Sequence, residues 1–388
     1  MADGPPIRVA HCVHGLGLGG AQKVIASIVR STDPASFRHV VYSCDDGIHR
    51  AEIEAAGATV RIVPRRIPKL DPGWVVTLAR AMRRDAVHLV HAHLFGDSLH
   101  GYLAARAAGG LPVVMTLHIG VEGCTPLQRR GYRWLVARAA ATVACSQSVA
   151  RSFGALMGPA WPVLPVIANG IDGVPDAPLP PPERATRRAR VGVPPDELLF
   201  AVIGRLEEQK GHRHLLAALA ALVHEHGVAA TLLVLGDGSL RESLEAQARA
   251  ERVEGRVVFA GLRPDVTELL PAIDVVVFSS LFEGLPVALL EAMAAGRCIV
   301  ATDVPGIVEA VRPEREAVVV PIGDVQGLTA GLLRVARSPE LAARLGEAAR
   351  RRFAAEFTAA RMAERYAALY EGVLTADGAR RASRASPR

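Results

Sequence analysis

The sequence predicts an α/β chain built from two doubly wound parallel-sheet domains. Three observations carry this prediction. Short apolar runs rich in Val, Ile and Leu alternate with stretches of helical periodicity, the alternation occurs once on each side of a proline-rich stretch, and the first strand of each half runs into a glycine-bearing turn. In the first half the predicted strands are 7–14, 39–43, 59–63, 88–93, 113–117 and 142–145, with helices such as 22–30 and 99–108 between them. The second half repeats the pattern with strands 198–203, 231–235, 257–259, 275–278, 298–301 and 317–320. Between them, 171–195 carries several prolines and reads as a linker. Two domains facing a cleft follow, 1–170 and 196–354. Ligands of such sheets bind beyond the carboxyl ends of the strands. Helical spacing resumes at 341–353 and 361–374, and the helix near 355–374 is assigned to pack back on the first domain. Residues 375–388 have almost no apolar side chains and read as a disordered tail.

Composition narrows the function. A length of 388 residues allows two domains that each bury a core. Hydrophobic residues make up 50% of the chain, yet no stretch approaches an uninterrupted membrane span, and the first residues lack a basic flank and an apolar signal run. The reading is a cytoplasmic protein, with peripheral contact at the inner face of the membrane left open. Five cysteines stand without a C-x-x-C pair, so neither a disulfide framework nor a thiolate zinc site is supported. The net charge of +6 is uneven: residues 1–170 carry 18 Lys and Arg against 10 Asp and Glu, and the remainder 27 against 29. A basic first half suits an anionic partner, a phospholipid surface or a solvated arginine face. Aromatic content of 4% without basic–aromatic interleaving speaks against nucleic acid.

Glu283 and Glu291, eight residues apart in the stretch from Phe282 to Gly296, carry the most chemistry. The strand before them runs into Glu283-Gly284-Leu285-Pro286, and a helix from near Pro286 to Gly296 follows, with proline and glycine at suitable ends. Free N–H groups at that helix start favour an anion, and two carboxylates suit a polyol. Phosphate beside sugar is what a nucleotide sugar offers. Earlier in the second half, Gly204-Arg205 ends a strand and Lys210-Gly211 precedes a helix, which places a guanidinium fork and a compact ammonium where they can neutralise a diphosphate. In the first half, Gly15-x-Gly17-x-Gly19-Gly20 forms a strand-to-helix turn that lets backbone N–H groups approach a phosphate, and Asp45 closes the second strand. Gly15, Gly17, Gly20 and Asp45 also match a dinucleotide fingerprint, which makes an NAD-dependent oxidoreductase the alternative of another class. That alternative leaves Arg205, Lys210, Glu283 and Glu291 unexplained. A nucleotide-sugar-binding protein without turnover is a third reading.

In order and spacing, Gly19-Gly20, Gly204-Arg205-x4-Lys210-Gly211 and Glu283-Gly284-Leu285-Pro286-x4-Glu291-Ala292-Met293-Ala294-x-Gly296 resemble the signature set of family 4 glycosyltransferases with the GT-B fold. His91-Ala92-His93, Thr116-Leu117-His118, Asn169-Gly170-Ile171-Asp172 and Leu235-Gly236-Asp237-Gly238 extend the resemblance to about Tyr370. It implies two facing Rossmann-like domains, the second holding the donor and the first the acceptor, with transfer that retains anomeric configuration and uses no divalent metal. No Asp-x-Asp triplet occurs to hold one. The resemblance further implies catalytic roles for Arg205, Lys210, Glu283 and His118. Arg205 and Lys210 would hold the diphosphate, Glu283 the hydroxyls of the transferred sugar, and His118 the acceptor side. Gly19, Gly20, Gly204, Gly284, Leu285 and Glu291 would line the donor, with Glu291 on the ribose and the base near Gly261 and Arg263. Gln22 would face the acceptor, although it stands where the family most often has Glu, which puts a charge role there in doubt.

The expected reaction moves a hexose or N-acetylhexosamine from a UDP-sugar, with no further cofactor, to a hydroxyl of a lipid-linked acceptor in cell-surface polysaccharide assembly. A soluble natural product such as an aminocyclitol is the alternative acceptor. His91 and His93 share a strand face but show no third ligand in sequence, so a metal is not assigned there. The helix bearing Arg129, Arg130, Arg133, Trp134 and Arg138 suits either a membrane surface or a solvated arginine face.

Overall fold

Parallel strands covered on both faces lose their alternation and become apolar throughout. A computed structural model of the chain describes residues 5–17, 19–67, 71–159, 161–173 and 179–385, with side chains through 379. It divides into two units, Met1–Asp172 with Ala359–Arg388, and Gly173–Thr358. The first holds β1 (Ile7–Gly15), β2 (Phe37–Asp45), β3 (Thr59–Ile62), β4 (Leu89–His93), β5 (Val113–Leu117) and β6 (Ala141–Ala144) in one parallel sheet ordered β3-β2-β1-β4-β5-β6. The second holds β7 (Leu198–Ile203), β8 (Ala230–Leu235), β9 (Val257–Gly261), β10 (Val275–Phe278), β11 (Cys298–Thr302) and β12 (Val318–Val320), ordered β12-β11-β10-β7-β8-β9. Every residue of β4, β5, β8, β10 and β11 is buried.

Numbered from its own first strand, each sheet has the order 3-2-1-4-5-6. Winding reverses between β1 and β4 and between β7 and β10, and the carboxyl edge at such a reversal is the ligand position of a doubly wound sheet. All twelve predicted strands are present, none displaced by more than two residues at either end. The Phe95–Ala107 helix begins four residues before its predicted start at 99. Its buried face there is polar, made of Asp97, Ser98 and His100, so the apolar period that marks a helix is missing.

Two segments differ from expectation. The stretch 375–385 continues the final helix, Ala359–Ala385, instead of being disordered. Ala and Arg are strong helix formers, and the helix is already anchored upstream by a buried stripe of Ala359, Met362, Ala363, Tyr366, Tyr370 and Val373. This helix packs on the Gly20–Ser31 helix of the first unit. Residues 174–178 and 386–388 lie outside the described residues, so the core of the linker and the last three residues of the tail are not placed.

The later part of the expected linker is not a bare connection. Pro181–Ala189 is a helix whose Arg188 is 1% exposed. Its guanidinium donates to the carbonyls of Ala272 (3.0 Å), Pro195 (2.8 Å) and Glu197 (2.6 Å) and to Asp274 Oδ2 (2.7 Å). The segment is thereby stitched to the amino-terminal ends of β7 and β10, the central strands of the second unit's sheet.

Asp274 keeps Arg184 and the Leu199 N–H, but Arg188→Ala removes the guanidinium from the carbonyls of Ala272, Pro195 and Glu197. At about 1–3 kcal/mol for a buried polar group left unsatisfied, the second unit is destabilised by at least that amount. All three tryptophans (Trp74, Trp134, Trp161) lie in the first unit. Far-UV circular dichroism in urea should therefore show an earlier step while the tryptophan fluorescence transition keeps its midpoint. A fluorescence transition that moves equally would contradict this assignment of Arg188 to the second unit's stability.

Candidate active site

In the second unit, the loops after β7 and β10 meet at the winding reversal. A 3-10 turn, Glu208–Lys210, closes on Gly211, whose φ is +63°. A side chain at Gly211 would place Cβ 2.0 Å from the carbonyl oxygen of Ser279, immediately after β10. Only glycine allows this approach, which brings the two loops into hydrogen-bond contact. Ser279 Oγ donates to the Lys210 carbonyl (2.9 Å) and the Leu281 N–H to the Gln209 carbonyl (2.8 Å). On the other side, a Cβ at Gly306 would lie 1.8 Å from the Gly284 carbonyl oxygen, so the start of the Pro305–Ala310 helix presses against the Glu283–Gly284 peptide.

This packing sets the charges. Lys210 Nζ lies 2.5 Å from Glu283 Oε1, with the side chains 15% and 7% exposed. Ser280 Oγ donates to the same oxygen at 2.8 Å, and Gln209 Nε2 donates to Oε2 at 3.2 Å and to the Phe282 carbonyl at 3.0 Å. Three donors thus converge on one carboxylate, which still leaves acceptor capacity on Oε2. Gly204 lies against the stem of Lys210. Arg205 is exposed on the same loop and reaches Gln209 Oε1 at 3.4 Å. Gly284 and Leu285 are buried in the turn, and Glu291 is buried within the Val287–Ala294 helix that follows. Arg263, after β9, forms a two-pronged contact with Asp265 (2.8 and 2.5 Å).

The structure therefore places Arg205, Lys210, Gly204, Glu283, Gly284, Leu285, Glu291 and Arg263 in one unit, where Lys210 and Glu283 touch. Sequence reasoning missed Gln209, Ser280 and Gly306. The first two sit inside or beside recognised motifs, but the residue types alone did not show that they aim at Glu283.

In the first unit the glycine turn leads from β1 into the Gly20–Ser31 helix, with Gly19 as its extended N-cap. Gln22 is buried and folds back beneath the turn. Its Nε2 donates to the Gly15 carbonyl at 2.6 Å, and its Oε1 is buried without a hydrogen-bond partner. This oxygen would lie 2.4 Å from a Cβ at Gly19, so glycine there gives Gln22 its space. Gln22 is held inside the turn and is not presented as an open acceptor-side group. Asp45 is exposed at the end of β2, 3.9 Å from His14 Nε2.

His118, after β5, is half-buried and ends an otherwise buried polar layer. His118 Nε2 is 3.0 Å from His93 Nδ1, His93 Nε2 is 3.3 Å from His11 Nδ1, and His11 Nε2 is 3.0 Å from His39 Nδ1. His39 Nε2 is 2.8 Å from Thr32 Oγ1. Beside this row, His91 contacts the Tyr370 hydroxyl (2.8 Å) and Thr116 Oγ1 (2.7 Å), and Thr116 meets the Tyr366 hydroxyl (2.8 Å). Burial pushes all five imidazoles below the ordinary histidine range, His39 and His118 to about 4. His11, His91 and His93 have ring nitrogens within 4.8 Å of one another, so β1 supplies the third imidazole that the sequence did not reveal. Each of their six ring nitrogens is already in a hydrogen bond, and the group contains no carboxylate.

The basic helix is Pro126–Val136, capped by a reciprocal Thr125–Gln128 pair. Tyr132, Leu135 and Val136 are buried, while Leu127 is 78% and Trp134 38% exposed. Arg129 is spent on the carbonyls of Val121 and Cys124, and Arg138 lies over the Trp134 ring. Among the described residues no helix is long and apolar enough to cross a membrane.

Residues 18–173 match the family described as Glycosyltransferase Family 4, and residues 183–352 match Glycosyl transferases group 1. The chain is 31% identical over 317 residues to the putative glycosyltransferase EpsF of Bacillus subtilis, covering 78% of this chain and 81% of that protein. It is 28% identical over 325 residues to the 2-deoxystreptamine glucosyltransferase of Streptomyces kanamyceticus, covering 76% and 83%. Anabaena HepE, solved in complex with UDP-glucose, superposes with a TM-score of 0.84 at 23% identity, covering 94% of this chain and all of that one. Each unit of this chain is a six-stranded parallel Rossmann-like sheet, as in glycosyltransferases of the GT-B fold.

The buried histidines give the first unit a pH-dependent stability of definite sign. Their folded values lie below the unfolded value of about 6.5, so the unfolded chain binds more protons as pH falls, and stability drops from about pH 6.5 towards the folded values near 4. Each histidine that stays neutral contributes a slope of about 1.4 kcal/mol per pH unit. The tryptophan-detected urea midpoint should fall steeply between pH 6.5 and pH 4.5, and His39→Gln should flatten the profile. A midpoint constant over that range would rule out neutral burial of the layer.

Proposed function

Because the chain belongs to the family 4 glycosyltransferases, we propose that it transfers a hexose or N-acetylhexosamine from a UDP-sugar to an acceptor hydroxyl. We further propose that the anomeric configuration is retained and that neither a metal nor a further cofactor takes part. The observation that carries this reading is the convergence of Lys210, Arg205 and Glu283 at the β7/β10 winding reversal. Family membership replaces the nicotinamide reading of Gly15, Gly17, Gly20 and Asp45.

Glycosyl transfer passes through an oxocarbenium-like state while negative charge grows on the departing diphosphate. Cations placed in advance stabilise that charge without reorganising. On this reading Arg205, exposed and loosely held, and Lys210, at the neck of the site, bind the diphosphate. Glu283 accepts from a hydroxyl of the transferred sugar through Oε2. Its other oxygen already accepts from Lys210 and Ser280, which favours positioning over nucleophilic attack. Attack by the acceptor then comes from the face of the leaving group: the acceptor oxygen bonds to the anomeric carbon, the bond to phosphate breaks, and the acceptor's proton passes to the released diphosphate. Glu291 is assigned to the ribose, the Arg263 region to the base, Gly19 and Gly20 to the phosphate side, and His118 to the acceptor.

For the acceptor we favour a lipid-linked saccharide in cell-surface polysaccharide assembly, with peripheral contact at the inner membrane face. Exposed Leu127 and Trp134 on an arginine-bearing helix support it. The aminocyclitol glucosyltransferase among the relatives favours a soluble acceptor as the second reading.

UDP should raise the melting temperature and NAD should not. Arg205→Ala and Lys210→Ala should each lower kcat roughly 10²-fold or more, with activity unchanged in EDTA. Product NMR should show the donor's anomeric configuration. Activity abolished by EDTA and restored by a divalent ion would refute the metal-free clamp, and an inverted product would refute retention. Transfer to a lipid-linked acceptor in vesicles, lost with soluble aminocyclitols, separates the two acceptor readings.

A further inference from the structure

The polar layer of the first unit has a direction. Thr32 Oγ1 lies 3.0 Å from the Ile28 carbonyl and 3.2 Å from that of Val29, and both are acceptors. A hydroxyl has one proton, and two carbonyl oxygens this close favour directing it to them, which leaves Thr32 to accept from His39. His39 therefore carries its proton on Nε2 and has a bare Nδ1. A neutral imidazole has one N–H and one lone pair, so each step fixes the next. His11 Nε2–H donates to His39 Nδ1, His93 Nε2–H to His11 Nδ1, and His118 Nε2–H to His93 Nδ1.

The strands make this row geometrically natural. In register, His11 stands opposite His91 and Val41, His39 opposite Val9, and His93 opposite Thr116. With a side-chain period of two, His39, His11, His91, His93, Thr116 and His118 all occupy one face of the sheet. The hydrogen bonds cross it diagonally through β5, β4, β1 and β2. Apolar side chains would cover this face at less cost, since buried polar groups must all be satisfied. A structural role alone does not account for four imidazoles in series that end at the residue assigned to the acceptor.

We propose that this one-way chain, anchored at the Ile28 carbonyl and running through Thr32, His39, His11 and His93, holds His118 in its Nε2–H tautomer, so that the Nδ1 lone pair faces the acceptor hydroxyl. Thr32, His39, His11 and His93 are positioning residues that act through His118. The inference rests on the assignment of His118 to the acceptor made above. A neutral His118 takes a hydrogen bond from the hydroxyl and aims its oxygen, and the proton's destination remains the leaving diphosphate.

The test is the histidine tautomer itself. In protein labelled with 15N-histidine, long-range 15N–1H spectra, with the His118 signal identified by its loss in His118→Asn, should show Nε2 protonated and Nδ1 bare. Thr32→Val removes the anchoring acceptor. It should introduce the Nδ1–H form at His118 and lower kcat by about 10- to 100-fold, the range for loss of an orienting partner, with the donor KM unchanged. Thr32→Ser should restore both. Should Thr32→Val not fold, His39→Asn serves the same reading, and the wild-type tautomer decides on its own. A wild-type Nδ1–H form overturns the proposal. So does a Thr32→Val protein that keeps both tautomer and kcat, or stoichiometric metal found on the His11, His91 and His93 group by elemental analysis. UDP-induced stabilisation, which depends on the second unit, is measured alongside. Its absence would count against the transferase reading, whereas its presence with the wrong tautomer defeats this inference alone.

Discussion

The close approach of backbone to backbone beside β10 is the constraint on which the second unit's candidate site depends. Gly211 lets the loop after β7 rest on the Ser279 carbonyl, and Gly306 lets a neighbouring helix press on the Gly284 carbonyl. Between these contacts Lys210 and Glu283 are largely covered, and their charges meet at 2.5 Å. An exposed ion pair contributes little to stability because solvent screens it and side-chain entropy opposes it. Here both members are largely covered and the glutamate has two further donors, so the pair acts as a fixed element of the site's geometry. Arg205 differs. It is exposed and weakly held, a cation available to an incoming anion, while Lys210 is already committed to Glu283, with which any anion would have to compete.

Much of the fold was legible because parallel strands buried on both faces leave unmistakable apolar runs. The helix at Phe95–Ala107 was read short because Asp97, Ser98 and His100 hide its buried face behind polar residue types. Composition alone also misjudged 375–385, where an anchored helix carries an Ala- and Arg-rich stretch onward. Arg188 shows a third limit. A Pro- and Arg-rich segment reads as solvated linker, yet its guanidinium satisfies three carbonyls and a carboxylate in the interior.

The candidate site was legible in its charged members and opaque in their partners. Motif spacing located Arg205, Lys210, Glu283 and Glu291, since a turn at a strand's carboxyl end has few other reasons to collect such charges. It did not show Gln209 and Ser280 converging on Glu283, because hydrogen bonding between separate loops leaves no period in a sequence. The histidines make the same point more strongly. His91 and His93 were visible as a pair on one strand, whereas His11 and His39 lie on strands that become neighbours only once the sheet order is known. Gln22 was visible by its position after the glycines, but the bond of its Nε2 to the Gly15 carbonyl inside the turn was not.

The two units share a topology and differ in electrostatic strategy. At its winding reversal the second collects ions, a choice suited to a substrate that carries two phosphates and sheds charge during reaction. The first collects neutral imidazoles and hydroxyls in a layer that burial keeps uncharged. A hydroxyl acceptor has no charge to match, so a cation or carboxylate there would pay a desolvation cost without a compensating partner. What such an acceptor requires is a lone pair or a proton in a fixed direction, and a row of tautomers locked end to end supplies direction without charge. On the proposed reading, division of labour between the two sheets follows from the chemistry of the two substrates: Coulomb attraction would hold the anion, and hydrogen-bond polarity would orient the alcohol.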